Sequence, residues 1–99
     1  MTRLLLMQIG RDEDVVTARQ RARQVADAVG FDLQDQTRIA TAVSELARNV
    51  TSYAGAGTIE FALDLVAHTL TVTVTDAGPG IPHLDSVACT DGRRLMRRG

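Results

Sequence analysis

The spacing of apolar residues changes after Tyr53, and that change constrains the fold more than any other feature. Between Val15 and Tyr53 the apolar residues recur every three or four positions, as on one face of a helix. Between Thr58 and Thr75 they alternate with polar residues, as in strands that bury one face. We therefore expect an α+β fold, a two-layer sandwich with helices on one face of a mixed, largely antiparallel sheet.

The pattern predicts individual elements as far as Asp76. We expect a strand at 3–9, a helix at 15–29, a helix at 33–53, and two strands at 58–65 and 70–75 that form a hairpin. The predicted apolar faces are Val15, Ala18, Ala22, Val25, Ala26 and Val29 on the first helix, and Ile39, Val43, Leu46 and Val50 on the second. Beyond Asp76 we expect a Gly- and Pro-rich loop and then a short basic stretch.

Turn and capping residues separate these elements. The polar segment Arg11–Asp14 supplies candidate N-caps for the first helix, and Gly30 is expected to end it. Asp32 is placed to cap the second helix, which Gly55 and Gly57 should end.

Length and charge limit the classes of protein that this chain can belong to. With 99 residues it has room for one domain, and we treat residues 1–99 as a single domain. A formal net charge of -1 gives no general attraction to nucleic acid or to an anionic membrane. The arginines between 93 and 98 are interpreted as the solvated end of a short helix.

Cysteine and histidine usage points to no metal site. Cys89 is the only cysteine, which excludes an internal disulfide or a cysteine metal cluster and favours a reducing compartment. His68 and His83 have no metal-ligand spacing and are expected at the surface. No stretch reaches the length of a signal-peptide core or a membrane span, so we expect a cytoplasmic protein.

Glu45 and Asn49 are the first pair of residues that could carry chemistry. They are four positions apart on the second predicted helix, so they share a face beside the apolar residues. A carboxylate and an amide oxygen suit a proton acceptor and a ligand of a hard cation. Such a pair is also common on solvated helix surfaces, and the spacing alone does not decide between these interpretations.

The second candidate is the segment Asp76-Ala77-Gly78-Pro79-Gly80-Ile81. Counting by twos along the strand, Asp76 falls on the buried face, where a ligand amino group could compensate its burial. The following glycines would let the backbone approach that ligand closely. A turn in which Asp76 has already left the strand is equally compatible with the pattern.

Together, and in this order, the two segments resemble a known family. Glu45-Leu46-Ala47-Arg48-Asn49 followed by a hairpin and Asp76-x-Gly78-x-Gly80-Ile81 resembles the N-box and first glycine box of the GHKL ATPases, which include gyrase, heat-shock protein 90 and histidine kinases. The segments 35–39 and 44–49, with Tyr53-Ala54-Gly55 after them, are similar to the anti-sigma serine/threonine kinases of bacterial stress signalling.

The resemblance implies a role for each matching residue. Glu45 would be the catalytic base for a protein serine or threonine hydroxyl, and Asn49 would bind a Mg²⁺ ion that bridges the phosphates of ATP. Asp76 would accept a hydrogen bond from the adenine amino group. The remaining nucleotide-binding positions would be Gly78, Gly80 and Ile81.

One departure from the family pattern affects the expected activity. Beyond Asp91-Gly92 such kinases carry a lid with a second glycine box, whereas here Arg93–Met96 resembles the start of the helix that follows the lid. We therefore expect the lid and the final strands of the fold to be missing, with the domain truncated at its C-terminus. A natural deletion, an engineered one and residues dropped from the sequence remain three open explanations.

Two functions follow from the resemblance. The first is an ATP-dependent serine/threonine kinase that regulates a bacterial sigma factor by phosphorylating an anti-sigma-antagonist partner of the STAS type. The second is a catalytically impaired binding module in the same partner-switching pathway. A sigma factor and a PP2C-type phosphatase are further candidate partners, self-association is left open, and direct binding of nucleic acid or membrane is not expected.

Overall fold

The fold is a two-layer α+β sandwich, as predicted. A computed structural model describes residues 2–76 in full, together with the backbone of two further strands. The described strands form one sheet in the order β1-β2-β3-β4-β5, and each neighbouring pair is antiparallel. The elements are β1 (Thr2–Ile9), α1 (Asp12–Ala28), α2 (Leu33–Tyr53), β2 (Gly57–Asp64), β3 (Thr69–Asp76), β4 (Leu84–Thr90) and β5 (Arg94–Arg98).

Helix α1 begins earlier than its apolar pattern predicts. Arg11 is the N-cap, and the Asp14 carboxylate reaches back to accept hydrogen bonds from the backbone N–H groups of Gly10, at 2.8 Å, and Arg11, at 3.0 Å. These bonds satisfy backbone donors that a helix N-terminus leaves without partners, so the first turn forms ahead of Val15. They also hold the pKa of Asp14 below its ordinary value, the bond from Gly10 first.

The predicted boundaries between α1 and α2 are confirmed. Gly30 has a φ of +93°, which a residue without a side chain adopts at little cost as a helix ends. Asp32 is the N-cap of α2, and its carboxylate accepts a hydrogen bond of 2.9 Å from the backbone N–H of Asp35. The start of α2 was therefore predictable from the cap residue.

The core lies between the two helices and the inner face of the sheet. On α1 the three alanines Ala18, Ala22 and Ala26 are fully buried, so small side chains line the face that packs on the rest of the domain. Helix α1 contacts β1 and β2, whereas α2 also reaches β3 and β4. The other fully buried large side chains come from α2 and the strands: Ile9, Ile39, Val43, Ile59, Phe61, Leu70 and Val72.

The predicted hairpin is confirmed, but its first strand begins and ends one residue earlier than predicted. Strand β2 ends at Asp64, whose carboxylate accepts hydrogen bonds from the backbone N–H groups of Val66 and Ala67 at 3.0 and 3.1 Å. These side-chain hydrogen bonds form a local turn, which takes the place of further backbone pairing between β2 and β3. The prediction that the strand extends to Leu65 is wrong, because this residue lies in the turn and is 73% exposed.

His68 closes this turn and is less exposed than predicted. Its φ is +51°, and its ring lies 5.6 Å from the ring of Phe31, centroid to centroid. The side chain is half-buried, and its Nδ1 atom is buried without a hydrogen-bond partner among the described residues. His83 lies outside the described residues.

The chain after β3 differs most from the prediction. The segment 84–90, predicted as loop, forms β4 beside β3, and 94–98, predicted as the end of a short helix, forms β5 beside β4. The expectation that the lid and the final strands of the family fold are missing stays a prediction. The density of Gly and Pro before 84 suggested loop, but a short segment can become a strand when a neighbouring strand supplies backbone partners.

Neither helix in the described part of the chain is long and apolar enough to cross a membrane.

Candidate functional site

Helix α2 holds Glu45 and Asn49 in fixed positions relative to the sheet. Val43, Leu46 and Val50 on the same helix are buried, which fixes the rotation of α2 about its axis. Glu45 and Asn49 lie one helical turn apart, and both side chains are exposed to solvent. The predicted shared face is confirmed, and both polar groups can meet a ligand from outside.

Ser44, beside Glu45, has a structural role. Its side chain is 6% exposed, and its hydroxyl donates a hydrogen bond of 2.8 Å to the backbone carbonyl of Ala40. A hydroxyl satisfied inside its own helix costs little to bury. Ser44 is therefore part of the helix packing and stands apart from the exposed pair.

A shallow groove runs along α2 from Glu45 toward the start of the helix. Its volume is about 300 Å³, and its polar lining comes from Thr37, Arg38, Thr41 and Glu45. The Arg38 guanidinium lies 3.7 Å from the carboxylate of Asp35, and the Thr41 hydroxyl donates to the backbone carbonyl of Thr37 at 2.9 Å. The groove therefore offers a carboxylate, a cation and hydroxyl groups to a polar ligand.

Asp76 is the last residue of β3 and is half-buried. Its Cα atom is paired with that of Gly57 at the start of β2. Of the two alternatives left open by the sequence, the strand position is confirmed. Val72 and Val74, which precede it at alternate positions, are 1% and 2% exposed, so Asp76 continues a buried row at the end of the sheet.

Gly57 is a site residue that the sequence pattern did not identify. A Cβ atom at this position would lie 2.5 Å from the carbonyl oxygen of Thr75, 2.9 Å from Cγ1 of Val50 and 3.0 Å from Cα of Asp76. Only glycine fits these contacts without displacement of a neighbour. Gly57 therefore lets the end of β3 pack against the last turns of α2, next to the turn that carries Asn49.

The structure brings some of the predicted site residues together. Glu45 and Asn49 share a face of α2, and Asp76 lies at the strand end that Gly57 joins to Val50 on that helix. The other three predicted residues, Gly78, Gly80 and Ile81, lie outside the described residues, so their roles stay predictions.

The donor set at Asn49 fits a magnesium ion held mainly by other ligands. An exposed amide oxygen beside a carboxylate is hard-oxygen chemistry, and Mg²⁺ commonly takes one or two protein ligands together with phosphate and water. Within residues 2–76 no group of three or more His, Cys, Asp or Glu side chains is placed to hold a metal ion.

Comparison with known proteins decides the family. Residues 10–94 match the family model described as histidine kinase-like ATPase domain. The chain belongs to this family. This match confirms the resemblance to the GHKL ATPases that was inferred from Glu45, Asn49 and Asp76. All three residues lie within the matched region.

One curated relative lies within the branch that the sequence suggested. Over 76 residues this ATPase-domain chain is 49% identical to a protein named serine/threonine-protein kinase RsbT from Bacillus subtilis (strain 168). The match covers 75% of this chain and 57% of the relative, so the chain spans little more than half the length of that protein. No solved structure is a significant match.

Proposed function

We propose that this chain is the ATP-binding domain of a serine/threonine protein kinase that regulates a bacterial sigma factor. Its substrate is a serine or threonine of an anti-sigma-antagonist protein of the STAS type. The observation that carries the proposal is the exposed Glu45 and Asn49 pair on α2, beside the strand end that holds Asp76. The name of the relative, a serine/threonine-protein kinase, supports the choice of reaction. ATP and sigma factors both belong to the cytoplasm, which is the compartment we propose.

In this proposal Glu45 acts on the protein substrate. Its carboxylate accepts the proton of the substrate hydroxyl as that oxygen forms a bond to the γ-phosphorus of ATP and the bond to the β-phosphate oxygen breaks, leaving ADP. The exposed position of Glu45 supports this role, because a carboxylate that serves a protein substrate must be reachable from outside the domain.

Asn49 and Asp76 hold the nucleotide in this proposal. The Asn49 amide oxygen is a ligand for Mg²⁺, which supplies charge neutralisation of the phosphates when bound. The Asp76 carboxylate accepts a hydrogen bond from the adenine amino group, and its half-buried position supports recognition of a flat base at the end of the sheet. By the family resemblance, Gly78, Gly80 and Ile81 would also take part in nucleotide binding.

A binding module without phosphate transfer is the second candidate. In the sequence Gly92 is followed directly by Arg93, where related kinases insert a lid whose backbone amides bind phosphate. Loss of such donors removes the electrostatic stabilisation on which phosphoryl transfer depends. Under this alternative the domain binds a STAS-type protein, a sigma factor or a PP2C-type phosphatase, and the adenine site keeps a structural or regulatory role.

Nucleotide binding is the first test. The kinase needs ATP as a substrate, whereas the binding module uses the adenine site only in a structural or regulatory role. Isothermal titration of ATP and of ADP with Mg²⁺ into the wild-type chain is compared with the same titration into Asp76→Asn. Asp27→Asn, an equal charge change on the exposed face of α1, is the control. We expect binding in the wild type and in the control, and binding at least about tenfold weaker in Asp76→Asn, because a neutral amide oxygen is a weaker acceptor than a carboxylate. If both variants bound nucleotide equally well, Asp76 would have no role in adenine recognition.

Phosphate transfer distinguishes the two candidates. The wild-type chain and Glu45→Gln are incubated with γ-labelled ATP, Mg²⁺ and a STAS-domain anti-sigma antagonist, and labelled substrate protein is quantified. The kinase proposal predicts transfer by the wild type and a loss of about 100-fold or more in Glu45→Gln with nucleotide affinity changed by less than about twofold. Nucleotide binding without any transfer would favour the binding module.

A further inference from the structure

The outer edge of the sheet at β1 is open to another strand. Among the described strands β1 pairs only with β2, and it lies at the end of the sheet order. From Leu4 to Ile9 it contains neither a charged residue nor a proline. Sheet edges are usually protected by such residues, because a free row of N–H and C=O groups pairs readily with another chain. The only irregularity is a register shift between Arg3 and Leu5.

An apolar groove lies directly beside this edge, between β1 and α1, and we call it the edge groove. Its volume is about 550 Å³. The floor is formed by Leu4, Leu5, Val25 and Val29, and the rim by Arg21 and Gln24. Leu4 is 40% exposed, so apolar surface remains uncovered in the described part of the chain. A side chain from an added strand would bury that surface.

The charge at the rim decides which kind of strand fits. Arg21 is exposed, its guanidinium donates to the side-chain oxygen of Gln24 at 2.9 Å, and it makes no ion pair with a described residue. At the start of β1, Arg3 is already paired with Glu60 at 2.6 Å. Arg21 makes no ion pair among the described residues, so the edge groove presents a positive charge to an added strand.

The β1 strand of a second copy does not satisfy that charge. If two β1 strands paired, each would bring Arg3 as its only charge, so the added strand would offer Arg21 no acidic side chain. A strand from another protein that carries acidic residues would pair with Arg21 instead. The charge complementarity therefore favours a different protein over self-association.

We propose that the edge groove binds an extended segment of a partner protein in which apolar and acidic residues alternate. The backbone of that segment pairs with β1, its apolar side chains enter the groove, and an acidic side chain meets Arg21, as in recognition by strand addition. This surface lies on the β1 and α1 side of the domain, whereas Glu45 and Asn49 lie on α2. The proposal does not depend on the proposed kinase activity.

The test uses two labelled peptides and fluorescence anisotropy. The probe is a peptide of about eight residues that alternates valine with glutamate, and its control alternates valine with lysine. We expect the glutamate peptide to bind wild-type protein at least about fivefold more tightly. Arg21→Glu should abolish that preference. Arg19→Glu, the same charge change two positions away on an exposed part of α1, should retain it.

Amide hydrogen exchange locates the binding. Addition of the glutamate peptide should slow exchange in β1 and leave α2 unchanged. Equal affinity for both peptides, equal effects of Arg21→Glu and Arg19→Glu, protection confined to other elements, or no saturation up to about 1 mM peptide would each overturn the proposal. Protection of β1 that appears on raising the protein concentration alone, together with dimers in sedimentation, would identify a second copy as the occupant and also overturn it.

Discussion

Gly57 and Asp76 are paired across the hairpin so closely that a single added carbon at position 57 would lie 3.0 Å from Cα of Asp76. The same carbon would lie 2.9 Å from Val50 on α2. The contact ties the end of β3 to the helix that carries Glu45 and Asn49. The geometry of the candidate site therefore depends on a residue without a side chain.

Gly57→Ala tests this dependence. The new methyl group meets backbone atoms that cannot rotate away, so we expect a loss of about 1–3 kcal/mol in the free energy of unfolding, together with weaker nucleotide binding. Urea denaturation and isothermal titration measure the two effects. Gly10→Ala is the control, because there the nearest atom to an added Cβ is a carbonyl oxygen of Gly55 at 4.0 Å. Equal stability of both variants would contradict the close packing at Gly57.

The proposed metal role of Asn49 predicts how magnesium affects nucleotide binding. In the wild type, ADP should raise the melting temperature more with Mg²⁺ than with a chelator present, because the ion links the phosphates to the protein. In Asn49→Ala the two conditions should give closely similar shifts. Ser52→Ala, another exposed position on α2, should behave as the wild type does. A full magnesium effect in Asn49→Ala would assign the ion to other ligands.

The helices and the hairpin were predictable because their signals are local. Apolar spacing set the buried face of each helix, and Asp32 and Gly30 marked the ends between them. The start of α1 was less predictable, because its cap comes from Asp14 reaching back rather than from the residue before the helix. The strand at 84–90 depends on pairing with β3, and such partners are not visible in the segment itself.

The candidate site was predictable in its chemical groups but not in its packing. Glu45, Asn49 and Asp76 follow from residue type, spacing and family resemblance. The close packing of Gly57 with Val50 and Asp76 joins the last turns of α2 to both strands of the hairpin, and a local sequence pattern does not predict such a tertiary contact. For the same reason the ring contact between Phe31 and His68 was missed.

The alanine face of α1 predicts a strong sensitivity to larger side chains. Ala22 is fully buried, and Leu at this position would add three carbon atoms to a closely packed layer. We expect Ala22→Leu to lower the free energy of unfolding by about 1–3 kcal/mol in urea denaturation. Gln20→Leu, which places the same leucine side chain on the exposed face of α1, should stay within about 0.5 kcal/mol of the wild type. Tolerance of leucine at position 22 would mean that the helix layer is loosely packed.

The Asp14 cap predicts a stability difference that depends on pH. The backbone hydrogen bonds from Gly10 and Arg11 lower the folded-state pKa of Asp14 below its ordinary value of 3.8. Because the folded state favours the ionised carboxylate, this stabilisation is complete at pH values above 3.8 and is lost as the pH falls through the lowered pKa. The Asp14→Asn variant has no carboxylate at position 14, so it lacks this pH-dependent contribution to stability.

The urea midpoints of wild type and Asp14→Asn should therefore differ at about pH 7 and converge as the pH is lowered toward about 2. Asp12→Asn removes the same charge from the same helical turn, and no hydrogen bond to the Asp12 carboxylate was identified within the described part of the chain. It should change the midpoint less than Asp14→Asn does. If both variants shift the midpoint equally, the effect comes from the charge near the helix N-terminus, and the hydrogen bonds to Gly10 and Arg11 contribute little.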